Sequence, residues 1–470
     1  MFALAGCEAK YGREKDPHVY LSFELLEDDT YMVKGFKSDF IKNVTIPSEH
    51  KGKKVTTIGD SAFRQGDSFF GIPARHLPIE KLVIEEGITH IQSDAFYRNG
   101  LTEVTLPDSL LFIGERAFME NNVSLTLPNN LTYIGEYAFA YTNIVGTLTL
   151  KNIVYGTGVF SHTNISKVIL EEGIITIPGD MFRRTPKLEE VILPTTLEQI
   201  DNNAFESTPS LKNILFPDGL KVIGSSAFSH SGLETLIFNH QITIESRAFQ
   251  ESLNLESIDF NHKEIVIEDE AFRDTSSLEN VRFNDLTTIN PKAFIGAPLT
   301  NMYISDNNDQ YELLDGQLVE KLTIEKTLVL GNNQLNDFTK FEVIGLYALA
   351  GRRFDRLNIT PNVKIISPYA FMNSKINHIK IEAKLIESYA FYYTSIIETL
   401  EISSEIIKNN SFYYVRDYET LRLLNGIEEI SQGAFVSNLS LKEAYIPYYI
   451  KPDELNWFIA CHALKDIYYY

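Results

Sequence analysis

The sequence predicts a repeat solenoid of about 17 turns, each adding one short parallel strand to a common sheet. Three observations predict it. The dipeptide Ala-Phe or a close variant recurs at 17 positions, and 14 of the 16 intervals between them are 20 to 23 residues long. An isoleucine stands five residues before the anchor in 15 of the 17 turns. Each turn also carries the pattern L-x-x-V-x-L, often closed by proline. A length of 470 residues would otherwise suggest about three globular domains, but a repeat array is not bound by that size rule.

The strand half is clearest at Leu101 to Pro107, Leu188 to Pro194 and Leu211 to Pro217. In the first of these, inward Val104 and Leu106 alternate with outward Glu103 and Thr105, the period of a strand with one buried face. The following proline lacks an amide donor and ends the ladder. The second half, I-x-x-x-A-F, often has glycine after its isoleucine, as at Gly59, Gly114, Gly135 and Gly224. Its alanine admits close approach, and its phenylalanine fills the interior. One turn cannot cover its own apolar edge, so Phe must stack on Phe and Ile on Ile along the axis.

Along the chain, residues 18–57 contain two strand-like runs, Val19 to Leu25 and Thr30 to Phe36, expected to form a hairpin that caps the N-terminal edge. The repeat array proper spans 58–300, with about ten extra residues between Arg64 and His76 read as a loop. An interval of 55 residues between Phe294 and Leu349 marks 301–345 as either a hairpin insertion turning at Asp315-Gly316 or a degenerate repeat. The array resumes over 346–470 and ends in a cap containing Trp457 and Phe458.

The pairing of L-x-x-V-x-L-P with I-x-x-x-A-F at this spacing resembles the BspA-type leucine-rich repeat family, over roughly residues 40 to 470. The resemblance implies a curved solenoid with its parallel sheet on the concave side and irregular or short helical segments on the convex side. It also implies display on a cell surface and a role in adhesion or protein binding. At the other end, Leu4-Ala5-Gly6-Cys7 is similar to the lipobox of bacterial lipoproteins, with Cys7 as the lipidated residue and 1–17 as lipobox remnant and polar tether. Only six residues precede Cys7, shorter than a complete signal, so this reading places the start of translation upstream. With Met1 as the true start, the chain stays in the cytoplasm and the alternative is an intracellular or periplasmic protein-interaction scaffold.

Nothing in the sequence points to catalysis. It lacks H-E-x-x-H, paired C-x-x-C, G-x-S-x-G, and the glycine-rich phosphate loops, and its ten histidines are scattered. Asp306 to Asp309 lacks the glycine and terminal glutamate of a calcium loop and reads as a solvated loop. The pairs Glu85-Glu86, Glu171-Glu172 and Glu189-Glu190 read as a solubilising surface. No cofactor or metal is expected. Two cysteines exclude a disulfide framework. An excess of 63 acidic over 42 basic residues, net −21, disfavours nucleic acid as a partner. No apolar run is long enough to span a bilayer, leaving the lipid as the expected membrane anchor.

The remaining candidate is the outward strand column. It contains an aliphatic stripe, Ile169, Ile192, Leu215 and Ile237, followed by Arg282, Tyr303, Arg422, Tyr445 and Tyr468. Exposed apolar patches and Arg or Tyr anchors are typical of contact surfaces. These residues are therefore the expected binding face for a protein or other macromolecular ligand. A second candidate surface is the C-terminal arm, where 14 of the 24 tyrosines fall between Tyr347 and Tyr470.

Overall fold

The computed structural model describes residues 16–37, 41–66, 78–124, 126–262, 264–283, 286, 288–450 and 455–470. Cys7 and the greater part of the loop between Arg64 and His76 lie outside them. The chain is a β-solenoid of about 19 turns with parallel strands and almost no helix. It divides into two compact units, 1–220 and 221–470.

Each turn has three sides. The first is the L-x-x-V-x-L strand. In unit 1 the strands Asn43–Ile46, Lys81–Ile84 and Glu103–Thr105 form one parallel ladder. Val145–Leu150, Asn164–Leu170 and Glu190–Ile192 form another. The register joins equivalent residues of successive turns, Thr45 to Val83 to Thr105 and Thr149 to Ile169 to Ile192.

The second side is a ladder of mostly two-residue strands ending at the repeat isoleucine, such as His90–Ile91, Phe112–Ile113 and Tyr133–Ile134. Sequence patterning did not reveal it, because two residues carry no readable alternation. The glycine after the isoleucine lets this side pack tightly: a Cβ on Gly114 would meet the Ser93 amide nitrogen at 2.6 Å.

The third side is the Ala-Phe turn, and it too is hydrogen-bonded from coil to coil. The anchor N–H donates to the Ala carbonyl of the next turn: Phe96 to Ala117 at 2.8 Å, Phe249 to Ala271 at 2.8 Å, Phe371 to Ala390 at 2.8 Å. The rings stack at 5.2 to 6.1 Å from Phe63 to Phe205 in unit 1. In unit 2 they stack from Phe228 to Phe294 and again from Phe371 to Phe458. These irregular segments are turns rather than helices for a definable reason. Residues two before and two after the anchor take left-handed backbone angles, for example Arg116 (φ 51) and Glu120 (φ 58) around Phe118. A right-handed helix cannot propagate through either position. At Pro291–Phe294 the segment closes into a 3-10 turn, as it does at Leu455–Trp457 before the last anchor; in the first of these Pro291 fixes φ and the Asn290 side chain accepts from the Lys292 amide.

A buried polar column runs three residues after the anchors. Thr142, Thr163, Thr208 and Thr275 each donate a hydroxyl to the carbonyl of their own Phe at 2.7 to 2.9 Å. Ser252, Ser374 and Thr394 reach instead to the anchor of the preceding turn. Asn121 and the buried Cys461 do the same with an amide and a thiol. These carbonyls lie in the core, where an unpaired acceptor would cost about 1–3 kcal/mol.

The N-terminal hairpin pairs Leu21–Leu25 antiparallel with Tyr31–Phe36, and the latter joins Lys53–Ile58 in parallel. Phe36 meets Phe63 edge-on at 5.0 Å, extending the aromatic column by one ring. In unit 2, Tyr311–Leu314 and Gln317–Glu320 form a hairpin about Asp315 (φ 51) and Gly316 (φ 74), the paired left-handed angles of a primed two-residue turn. Thr327–Leu330 then pairs antiparallel with the hairpin and parallel with Val343–Ile344, returning the chain to the second side.

Phe228 is fully buried and lies flat on Phe249 at 5.4 Å. Phe228→Ala is expected to lower stability by roughly 3–5 kcal/mol, as large-to-small core changes do. Equilibrium denaturation measures this; a midpoint equal to wild type would remove Phe228 from the load of the stack.

Candidate interaction face

The outward column of the first side exists as separate in-register runs within each unit. In unit 1, Ile169 is half-buried, Ile192 is exposed, and Leu215 is 89% exposed in a stretch without assigned strand. In unit 2 the column runs Ile237, Asp259, Arg282, Tyr303. After the hairpin it continues Asn358, Lys380, Glu401, Arg422, Tyr445, Tyr468. Ile237 is thus paired in register with Asp259.

The arginines and tyrosines of this column contact one another. The Arg282 guanidinium lies 4.6 Å from the centre of the Tyr303 ring. Arg422 lies 5.3 Å from the Tyr445 ring, which stacks on Tyr468 at 4.9 Å. Parallel pairing produces this geometry, because it sets equivalent side chains of adjacent turns one strand spacing apart, about 4.8 Å. A cation on a ring face holds both side chains in one arrangement and leaves the outer edges free for a partner. The row can supply oriented donors and flat apolar surface, but it gathers no nucleophile with a base.

The tyrosines of the C-terminal arm are spread over several places, Tyr392 and Tyr413 stacking at 5.7 Å directly after their anchors. Tyr418 is fully buried; its hydroxyl accepts from the Asn438 amide at 2.9 Å, and burial raises its ionisation well above the ordinary range. Tyr347, Tyr369 and Tyr389 stack in sequence at the left-handed position before the anchors. Tyr393 and Tyr414 stack at the position after them. Only Tyr445 and Tyr468 belong to the strand row, with Tyr448, Tyr449 and Tyr470 exposed near it.

Two of the glutamate pairs have a role that composition does not show. Glu86 accepts from the backbone amides of Asp108 and Ser109 at 2.8 and 3.1 Å, and Glu172 accepts from the Thr195 amide at 2.9 Å. Glu85 does likewise for Ser48 at 2.8 Å. These carboxylates tie the corner of one coil to the next, and the amide hydrogen bonds hold Glu86 and Glu172 below the usual glutamate range. In the segment Asp306 to Asp309, Asn308 caps the Gln310 and Tyr311 amides at 2.9 Å and donates to the Leu286 carbonyl, an internal brace for the hairpin. Among the described residues, no three His, Cys, Asp or Glu side chains are gathered as a metal site. No described helix is long and apolar enough to cross a membrane.

Because Glu86 and Glu172 have depressed folded-state values, their contribution to stability is complete above the ordinary value of 4.5 and is lost as pH falls below it. The double variant Glu86→Gln, Glu172→Gln is therefore expected to lose less melting temperature than wild type between about pH 5 and about pH 3. Parallel curves for the two proteins would show that these capping bonds carry no folding energy.

The fold compares directly with known proteins. A leucine-rich repeat protein from Bacteroides ovatus matches with a TM-score of 0.51 and 18% identity, over 98% of this chain and 100% of that one. A leucine rich cell surface protein from Faecalibacterium prausnitzii is 18% identical over 97% of this chain and 94% of its own, with a TM-score of 0.33. A leucine rich repeat protein of T. pallidum is 20% identical over 43% of this chain and 92% of its own, with a TM-score of 0.38. No curated protein matches the sequence. The family pattern described as BspA type Leucine rich repeat region matches in six copies, over residues 32–154, 66–189, 198–312 and 342–465. With most of its length matched and with the coil of such a repeat, the chain belongs to the BspA-type leucine-rich repeat family.

Proposed function

We propose that this protein is a non-catalytic surface module, anchored by a lipid on Cys7, that binds another macromolecule through the outward row of its first side. The observation that carries the reading is the row itself: Arg282 on Tyr303, and Arg422 on Tyr445, which stacks on Tyr468, are held in register on the sheet. Pre-set aromatic and arginine side chains lose little conformational freedom on binding, which is why such residues anchor interfaces. The exposed Ile192 and Leu215 offer an apolar contact on unit 1. BspA-type repeat proteins are bacterial surface proteins, and the lipobox-like Leu4 to Cys7 supplies a means of attachment.

Two measurements test it. Binding of the purified chain to immobilised cell-surface and matrix proteins should weaken by about tenfold or more when Ile192 and Leu215 are both changed to Glu, since burying an unpaired charge in a contact costs well over 1.4 kcal/mol. The fold should persist, because both residues are exposed. Unchanged binding would discard the unit 1 contact, and Arg422→Ala with Tyr468→Ala tests the unit 2 contact in the same assay. For the anchor, labelled palmitate should enter the protein expressed with its native upstream sequence and not its Cys7→Ser variant.

A further inference from the structure

Arg352-Arg353 belongs to no recognisable sequence motif, and the structure gives the pair an unusual setting. Arg352 takes the position that holds a buried Thr, Ser or Asn in most other turns, three residues after the anchor Leu349. It is 1% exposed. Its Nε donates to the Gly331 carbonyl at 2.8 Å, and its Nη1 donates to the carbonyls of Phe294 and Ala350 at 3.0 and 3.4 Å. It thus spans the long interval and satisfies the Phe294 carbonyl as a Thr or Ser would. Close approach of the chain here depends on Gly351 (φ 72), whose Cβ would meet the Gly296 nitrogen at 2.3 Å.

The hydrogen bonds are provided, but the charge is not balanced. Among the described residues no carboxylate lies within ion-pair range of Arg352, although the chain has 63 acidic side chains. Burial alone draws its guanidinium down to about 9. An unpaired buried ion is among the costlier arrangements in a protein interior. Arg352 lines a cavity of about 350 Å3, together with Arg353, Lys375, Asn373, Ser276 and Asp274. Arg353 and Lys375 are exposed and directly paired in register on adjacent strands, and neither has an ion-pair partner among the described residues. Like charges set opposite one another across a sheet repel. Asp274, the one acid in the lining, is engaged by Arg273 at 3.0 Å.

We propose that this cavity is an oxyanion site, taking a phosphate or sulfate group as counter-ion to Arg353 and Lys375 at its mouth, with the buried, unbalanced charge of Arg352 behind its lining. A tetrahedral oxyanion has enough oxygens to use the Arg353 guanidinium fork and the Lys375 ammonium, with the Asn373 amide and Ser276 hydroxyl as further donors, whereas a carboxylate offers two. The anion would relieve the repulsion of the in-register cation pair and place a negative charge near the buried guanidinium. The site is separate from the outward row and does not depend on the binding role given to that row.

Calorimetric titration of the full chain with inorganic phosphate, phenyl phosphate and acetate at fixed ionic strength tests the assignment. One saturable site for phosphate is expected, weakened by about tenfold or more in the double variant Arg353→Ala, Lys375→Ala, since a hydrogen bond to a charged group contributes at least that factor. Both substitutions are at exposed positions, so the variant should melt with wild type in phosphate-free buffer. Tighter binding of phenyl phosphate than of phosphate identifies an ester-borne group as the ligand, and the reverse order identifies the free ion. Absence of binding by both phosphates, equal affinity for acetate, or undiminished affinity in the double variant would each overturn the proposal.

Discussion

The stacking of one anchor phenylalanine on the next is the contact on which the rest of each unit depends. It fixes the rise from turn to turn, because rings lying flat at 5 to 6 Å set the spacing that the three hydrogen-bonded sides must share. It also makes the turn affordable in conformational terms. In most turns two non-glycine residues are held left-handed, at roughly 1–2 kcal/mol each. Full burial of one phenylalanine, roughly 1.5–3 kcal/mol, together with its ring contacts, offsets a strain of that size. The array is in this sense cooperative at nearest-neighbour range: a turn without its neighbour retains the strain and loses the stack.

Close packing of the rings creates a second constraint. The backbone at the anchor enters the core, so its carbonyl must find a donor without water. Hydroxyls at Thr142, Thr163, Thr208 and Thr275 meet this need locally. Where the interval of 55 residues separates Phe294 from the next anchor, a short hydroxyl does not serve and the reach of Arg352 does. A structural requirement thereby brings a charge into the interior, and the unbalanced cations around that cavity follow from the way the interruption is bridged.

The exposed sides are freed by the same division of labour. Because the inward half of every strand already secures the coil, the outward half can vary from aliphatic in unit 1 to arginine and tyrosine in unit 2 without loss of register. Parallel pairing then converts a sequence period of 20 to 23 residues into side-by-side placement. Residues far apart in the chain, such as Arg422, Tyr445 and Tyr468, become one composite surface.

By itself the sequence determined the coil, its period, the interior Phe and Ile columns, and the strand row with its outward residues. Each of these is a strong, repeated signal, and period-2 alternation states directly which side chains face out. It also marked Asp315-Gly316 as a turn, since few residue pairs accept two left-handed angles. The tertiary structure decided what depends on contact between coils. The two-residue strands of the second side are too short to show a pattern. The glutamates that looked like solvated surface cap amides 22 and 23 residues away, a pairing that exists only once turns are stacked. Some left-handed positions hold Asp, Asn or Gly, which favour that conformation, but many hold Arg, Glu, Tyr or Ser, which do not announce it. The setting of Arg352 depends on which carbonyls and which charges surround it in space. A repeating hydrophobic pattern specifies the fold because burial is nearly independent of direction, whereas hydrogen bonds and charge balance depend on the exact neighbours that folding brings together.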